Sequence, residues 1–327
     1  MTTDTQNTEV PKQASGRVAA TRLMQLKKSL QAVLGLVLIT ILFSALAPTY
    51  RQRETFLNIL QQSTELSILA AGATVVLISG GLDLSVGSIM ALSTCVAGSL
   101  LAAKCAVPVA VGAAVGVGLL VGLVNGTVIV ATGVPPFIVT LGMMLIARGL
   151  ALMLGSGRSM TDFPESFKAL GVGADGLVPI GIMAAVVAVT AFLLAKTRFG
   201  FNAYAIGGNA EVARLAGIPV KRYKVLYYGL GGMLAGLAGC VQTARFDIAA
   251  PSRGEGWELQ AIAAVVIGGT SLFGGMGGVG RTIVGALIMG SLSTGLTHCH
   301  MKPYSQMVTI GAVIILAVWI DRLQRKQ

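Results

Sequence analysis

The chain has 327 residues, 54% of them hydrophobic and only 11% charged, with 24 Lys and Arg against 13 Asp and Glu for a formal charge of +11. This composition excludes a soluble domain with a solvated surface, and because the basic residues gather at the ends of apolar segments it argues against nucleic acid as a partner. The four cysteines, Cys95, Cys105, Cys240 and Cys299, sit in apolar segments without C-x-x-C spacing, so neither a disulfide framework nor a metal site is indicated.

Apolar runs long enough to cross a hydrocarbon core of roughly 30 Å recur along the chain. Residues 1–28 form a polar tail. The stretch "SLQAVLGLVLITILFSALAP" that follows is too long for a signal-peptide core, and Pro48 directly after "ALA" argues for an uncleaved membrane anchor. Ten spans are expected, at about 29–48, 65–80, 85–103, 107–131, 135–155, 177–196, 224–246, 258–274, 280–298 and 303–320. The fold class is thus an all-α polytopic membrane protein of about ten transmembrane helices with broken or re-entrant segments. It divides into the tail at 1–28, one transmembrane domain at 29–321 with a cytoplasmic loop at 197–224, and a C-terminal tail at 322–327. Placing both termini in the cytoplasm puts fifteen Lys and Arg on cytoplasmic stretches and eight outside, as the positive-inside bias requires.

Glycines at 112, 116, 118 and 122, and at 232 and 236, fall at helical spacing and predict close helix–helix packing in one bundle. "VVLISGGLDLSVGSIMALS" (75–93) and "VVIGGTSLFGGMGGVGRTIVGAL" (265–287) read as two broken helices of related design, the kind of backbone tolerated where it is buried or lines a cavity. Asp83 lies in the first break. It either touches a translocation pathway or caps the following helix, with its carboxylate accepting backbone amides. Arg148, inside a span, is either its counterpart or a side chain that snorkels.

No nucleophile, paired carboxylate or metal-ligand constellation appears, so the chain reads as neither an enzyme nor a metalloprotein. "GMGGVGRT" (275–282) imitates a phosphate-binding loop but follows a membrane span instead of a strand, and "THCHM" (297–301) holds the only two histidines. What remains for a pathway is neutral chemistry, suited to an uncharged, hydroxyl-rich solute. Asp83, Ser85, Ser88, Asn125, Glu258 and Gln260 are the candidates for the pathway or the breaks, with Thr140 and Gln242 as further neutral groups.

The polar stretch "GGNAEVARLAGIPVKRYKV" (207–225) predicts a short helix at 210–216, capped by Asn209 and stopped by Gly217 and Pro219. A helix this short is marginal alone, so something must hold it. Its spacing Glu211-x-Ala213-x-x-x-Gly217 resembles the E-A-A-x-x-x-G element in cytoplasmic loops of ABC-transporter permeases, with Val212 in place of the first alanine. Four blocks, "GGLDLSVGSIMAL" (80–92), "PPFIVTLGMMLIARGL" (135–150), "GGNAEVARLAGI" (207–218) and "GWELQAIAAVVIGGTSLFGG" (256–275), are similar to those of ribose-type monosaccharide permeases. Trp257, where such permeases often carry Tyr, and Arg281 in the glycine loop depart from the pattern.

The resemblance implies the permease subunit of a monosaccharide ABC importer in a bacterial inner membrane. It implies a second permease chain, an ATP-binding subunit that holds ATP and magnesium, and a periplasmic sugar-binding protein, with no cofactor in this chain itself. Asn209, Glu211, Ala213, Arg214 and Gly217 would then form the coupling element. The alternatives are an ABC permease for branched-chain amino acids or nucleosides, or a secondary sugar transporter.

Overall fold

The computed structural model describes residues 31–325. Thirteen α-helices follow in chain order among them: α1 Gln31–Leu46, α2 Arg53–Ile78, α3 Val86–Ala102, α4 Val107–Thr132, α5 Pro136–Leu154, α6 Glu165–Val172, α7 Leu177–Lys196, α8 Arg198–Gly208, α9 Ala210–Leu215, α10 Val220–Phe246, α11 Trp257–Ile267, α12 Val279–His298 and α13 Pro303–Arg325. Five stretches are long and apolar enough to cross a membrane: Val107–Thr132, Pro136–Leu154, Glu165–Lys196, Val220–Phe246 and Val279–His298. The protein is an α-helical polytopic membrane protein.

Punctuation in the sequence accounts for the helix limits. α4 ends at Gly133, whose left-handed backbone (φ 70°) satisfies a last-turn carbonyl, and Pro135 and Pro136 then open α5. α10 lies at the centre, with 72% of its apolar window buried, whereas α4 and α5 bury 22% and 17% of theirs and leave apolar faces outward. α4 and α10 share the most extensive packing, and small residues make it possible. A Cβ on Gly118 would collide with the carbonyl of Gly232, and one on Gly122 with that of Tyr228. Gly112 and Gly116, expected on the same face, have open space beside them instead.

A helix stands at each of the ten expected spans, but three features differ from the sequence reading. α11 has 11 residues, about 16 Å at 1.5 Å per residue, and so covers only half a bilayer where a crossing at 258–274 was expected. The region read as a C-terminal tail at 322–327 is helical as far as Arg325, because α13 continues past its apolar part; the tail at 1–28 lies outside the described residues. Two helices, α6 and α8, and one two-residue antiparallel pairing, Met160 with Ala249 and Thr161 with Ile248, occur where loops were expected. The pairing ties the segment before α6 to the end of α10, and Asp247 strengthens that tie by accepting the Phe163 N–H at 3.0 Å and by facing Lys168 at 3.3 Å.

Candidate functional site

Both helix breaks are present, and they meet. α2 ends where Gly80 turns with φ 76°, and the N–H groups of Gly80 and Gly81 donate back to the Leu77 and Val76 carbonyls, each at 2.9 Å. The Tyr228 hydroxyl donates to the Leu82 carbonyl and accepts the Leu82 N–H, each at 3.2 Å, while Thr140 Oγ1 donates to the same carbonyl at 3.3 Å. The second break, 268–278, uses positive φ at Gly274 and Gly275 and closes on itself through Ser271 N–H to the Met276 carbonyl at 2.9 Å. The N–H of Gly275 then donates to the carbonyl of Ile78 at 2.8 Å. Gly207, near the end of α8, fills the same junction: a Cβ there would collide with the Ile78 carbonyl, and a Cβ on Gly274 would sit 2.9 Å from Gly80 Cα.

Within the first break, three of the candidate residues form one buried chain. Asn125 Nδ2 donates to Ser85 Oγ at 2.8 Å, Ser85 Oγ donates to Asp83 Oδ1 at 2.5 Å, and the Ser85 N–H reaches the same oxygen at 2.9 Å. Asp83 therefore closes a turn ahead of α3, and the helix N-cap itself is Ser85, whose side chain makes no cap bond. The sequence reading of Asp83 as that cap is corrected to a turn two residues earlier. Among the described residues its second oxygen has no hydrogen-bond partner, and neither has Asn125 Oδ1.

Ser88 and Glu258 come together away from that chain. They line, with Arg148 and Glu255, a cavity of about 440 Å³ beside α5. Arg148 is neither paired with Asp83 nor turned out to solvent: its guanidinium donates to the carbonyl of Pro251 and, at 2.8 Å, to that of Arg253, pinning the loop before α11. Gln260 is half-buried on α11 and is not among the residues lining this cavity.

The third group is the polar loop. Asn209 Oδ1 accepts the N–H groups of Glu211 and Val212, each at 3.0 Å, and so caps α9. Leu215 ends α9 one residue earlier than expected, Gly217 turns with φ 82°, and Ala213 is buried against the body. Arg214 holds Glu211 in a hydrogen-bonded ion pair on the outer surface (Nε to Oε2, 3.0 Å), which lowers the Glu211 carboxyl below its usual range. What holds this short helix from within the chain is α8, unrecognised in the sequence. The Tyr227 hydroxyl donates to the Phe199 carbonyl at 2.9 Å and the Tyr204 hydroxyl to the Gly277 carbonyl at 3.0 Å, fixing α8 to α10 and to the second break. Facing outward, Val212 and Leu215 are 60% and 73% exposed, and Phe201 and Phe273 are exposed as well.

Sequence reading also missed a buried ion pair. Glu65, on α2, is 1% exposed and meets Arg245, near the end of α10, at 3.3 Å. The partners lie 180 residues apart, and no local pattern could have joined them.

A bundle with interrupted helices, polar groups buried at the interruptions and a capped helix standing on one end defines a membrane permease. A family described as branched-chain amino acid transport system / permease component matches residues 55–318, and the chain belongs to that family. It is 41% identical over 301 residues to the ribose import permease protein of Escherichia coli (strain K12), covering 90% of this chain and 93% of that one. The ribose import permease protein of Bacillus subtilis (strain 168) is 42% identical over 293 residues, 88% of this chain and 91% of its own. The D-allose transport system permease protein of Escherichia coli (strain K12) is 38% identical over 297 residues, 89% and 90% of the two chains. No solved structure matches the chain.

Proposed function

We infer that this chain is the membrane-spanning permease of an ATP-driven importer for a monosaccharide of the ribose, allose or arabinose kind, working in a bacterial inner membrane. The near end-to-end likeness to permeases of those sugars carries the reading. In it ten crossings leave both termini in the cytoplasm, the short α11 and the loop before it together making one of them, and two copies pair around the pathway. ATP and magnesium are held by a separate ATP-binding subunit, and a binding protein delivers the sugar from outside.

α9 is the element through which that subunit acts. The exposed apolar side chains of Val212 and Leu215 would seat in the partner, while Ala213 faces the body. Movement of α9 passes through Asn209 to α8, and through Gly207 to the junction of both helix breaks. An element that contacts two rearranging segments at once biases both together.

The family's description as a branched-chain amino acid transport permease favours a second reading, import of branched-chain amino acids. Competition separates the two. In proteoliposomes containing the assembled transporter, ATP-driven uptake of labelled ribose should fall with unlabelled allose or arabinose and stay unchanged with excess leucine or adenosine. Uptake of leucine, with no uptake of any monosaccharide, sinks the sugar reading.

A further inference from the structure

A second cavity lies across the loop before α11 from the one beside Arg148. It has a volume of about 300 Å³, at the lower end of the roughly 300–1,000 Å³ typical of small-molecule sites. Its lining comes from four parts of the fold. α2 contributes Glu65, α10 contributes Gln242 and Arg245, the loop contributes Arg253 and Glu255, and α11 contributes Trp257. The two acids and two guanidinium groups cancel, so the lining is rich in hydrogen-bonding groups with no formal net charge.

Two observations point to a ligand. Gln242 is 3% exposed, yet its Oε1 has no hydrogen-bond partner among the described residues, and a buried polar atom left unpaired is costly unless something else fills the role. Beside it, Glu65 and Arg245 hold charge inside the bundle, where an apolar pair of similar volume is often as stable or more so. Retaining an ion pair, an open amide and an aromatic residue around one cavity makes chemical sense if the occupant is polar, uncharged and carries several hydroxyls. Both guanidinium groups are held over the Phe246 ring, at 5.3 Å for Arg245 and 4.8 Å for Arg253, which fixes their positions without using up all their donors.

We propose that this cavity is a monosaccharide-binding station on the pathway, in which Gln242 and the Glu65–Arg245 pair bond sugar hydroxyls and Trp257 sets which sugar fits. The assignment rests on the reading of the chain as a monosaccharide permease. Glu65 and Ile78 lie 13 residues apart on α2, about 20 Å at 1.5 Å per residue, so one helix joins the station to the glycine junction.

The test uses the assembled transporter in proteoliposomes with saturating binding protein. Gln242→Leu loses no hydrogen bond from Oε1 to any described residue, so it should leave ATP hydrolysis stimulated by loaded binding protein intact while cutting ribose uptake about tenfold. Trp257→Leu should do the same, and Trp257→Tyr should retain uptake but change the ranking among ribose, allose and arabinose. In a Trp319→Phe chain, Trp257 is the only tryptophan, and its emission should change saturably with ribose and not with leucine. Unchanged uptake in both leucine variants, loss of stimulated hydrolysis together with uptake, or emission indifferent to sugar overturns the station. Absence of monosaccharide uptake by the unsubstituted transporter overturns instead the functional reading beneath it.

Discussion

The N–H of Gly275 donates to the carbonyl of Ile78 at 2.8 Å, joining the loop after α11 to the last turn of α2. That bond links two helix breaks nearly 200 residues apart in sequence, and Gly207 brings the end of α8 onto the same carbonyl. The junction is therefore where α8, the helix that leads into α9, shares close backbone contacts with both interior breaks.

Substituting at the junction should be costly at one glycine and harmless at its neighbour. A Cβ at position 207 meets backbone that cannot turn aside, and overpacking of this kind costs about 1–3 kcal/mol. Gly208 has nothing within 4 Å. Gly207→Ala should lower the unfolding temperature in detergent and reduce uptake, with Gly208→Ala close to the unsubstituted protein. Equal behaviour of the two would remove the junction from the account.

The α4–α10 contact makes a similar contrast. Gly118→Ala should destabilise the bundle, since the added methyl strikes the Gly232 carbonyl, whereas Gly116→Ala points into open space and should be neutral. Thermal unfolding of the two purified variants checks this directly.

Much of this was legible from sequence, and the misses share a cause. Helix positions followed from apolar length and from Gly and Pro punctuation, because those signals are local. α8 was missed because "RFGFNAYAIGG" carries three glycines and reads as loop; tertiary packing overrides that, with Gly200 pressed against Leu194 and Gly207 against Ile78. Gly112 and Gly116 share spacing with Gly118 and Gly122, yet only the latter two meet α10, and spacing alone could not tell them apart. Glu65 reads as the polar edge of a span, and only the fold brings Arg245 to it.

Asp83 should prove a structural acceptor. Asp83→Ala leaves the buried Ser85 N–H without a partner, at a cost of about 1–3 kcal/mol, while Asp83→Asn keeps an acceptor oxygen and should cost less. Unfolding temperatures in the order unsubstituted, Asn, Ala are expected. If Asn and Ala are equally damaging, the ionised carboxylate matters in itself.

Glu211→Ala should separate stability from coupling. Its ion pair with Arg214 is solvent-exposed and contributes little to holding the fold, so the variant should insert and unfold like the unsubstituted chain. Uptake should nevertheless be lost if α9 transmits the stroke of the ATP-binding subunit.

The most direct measurement is ribose uptake by proteoliposomes holding this chain with its ATP-binding subunit and binding protein, compared with the same vesicles carrying Glu211→Ala. Uptake that requires internal ATP and the binding protein, and that disappears in the Glu211→Ala vesicles despite normal insertion, is the expected result. Ribose accumulation by this chain alone under an ion gradient, or ATP-driven uptake indifferent to Glu211, would contradict it.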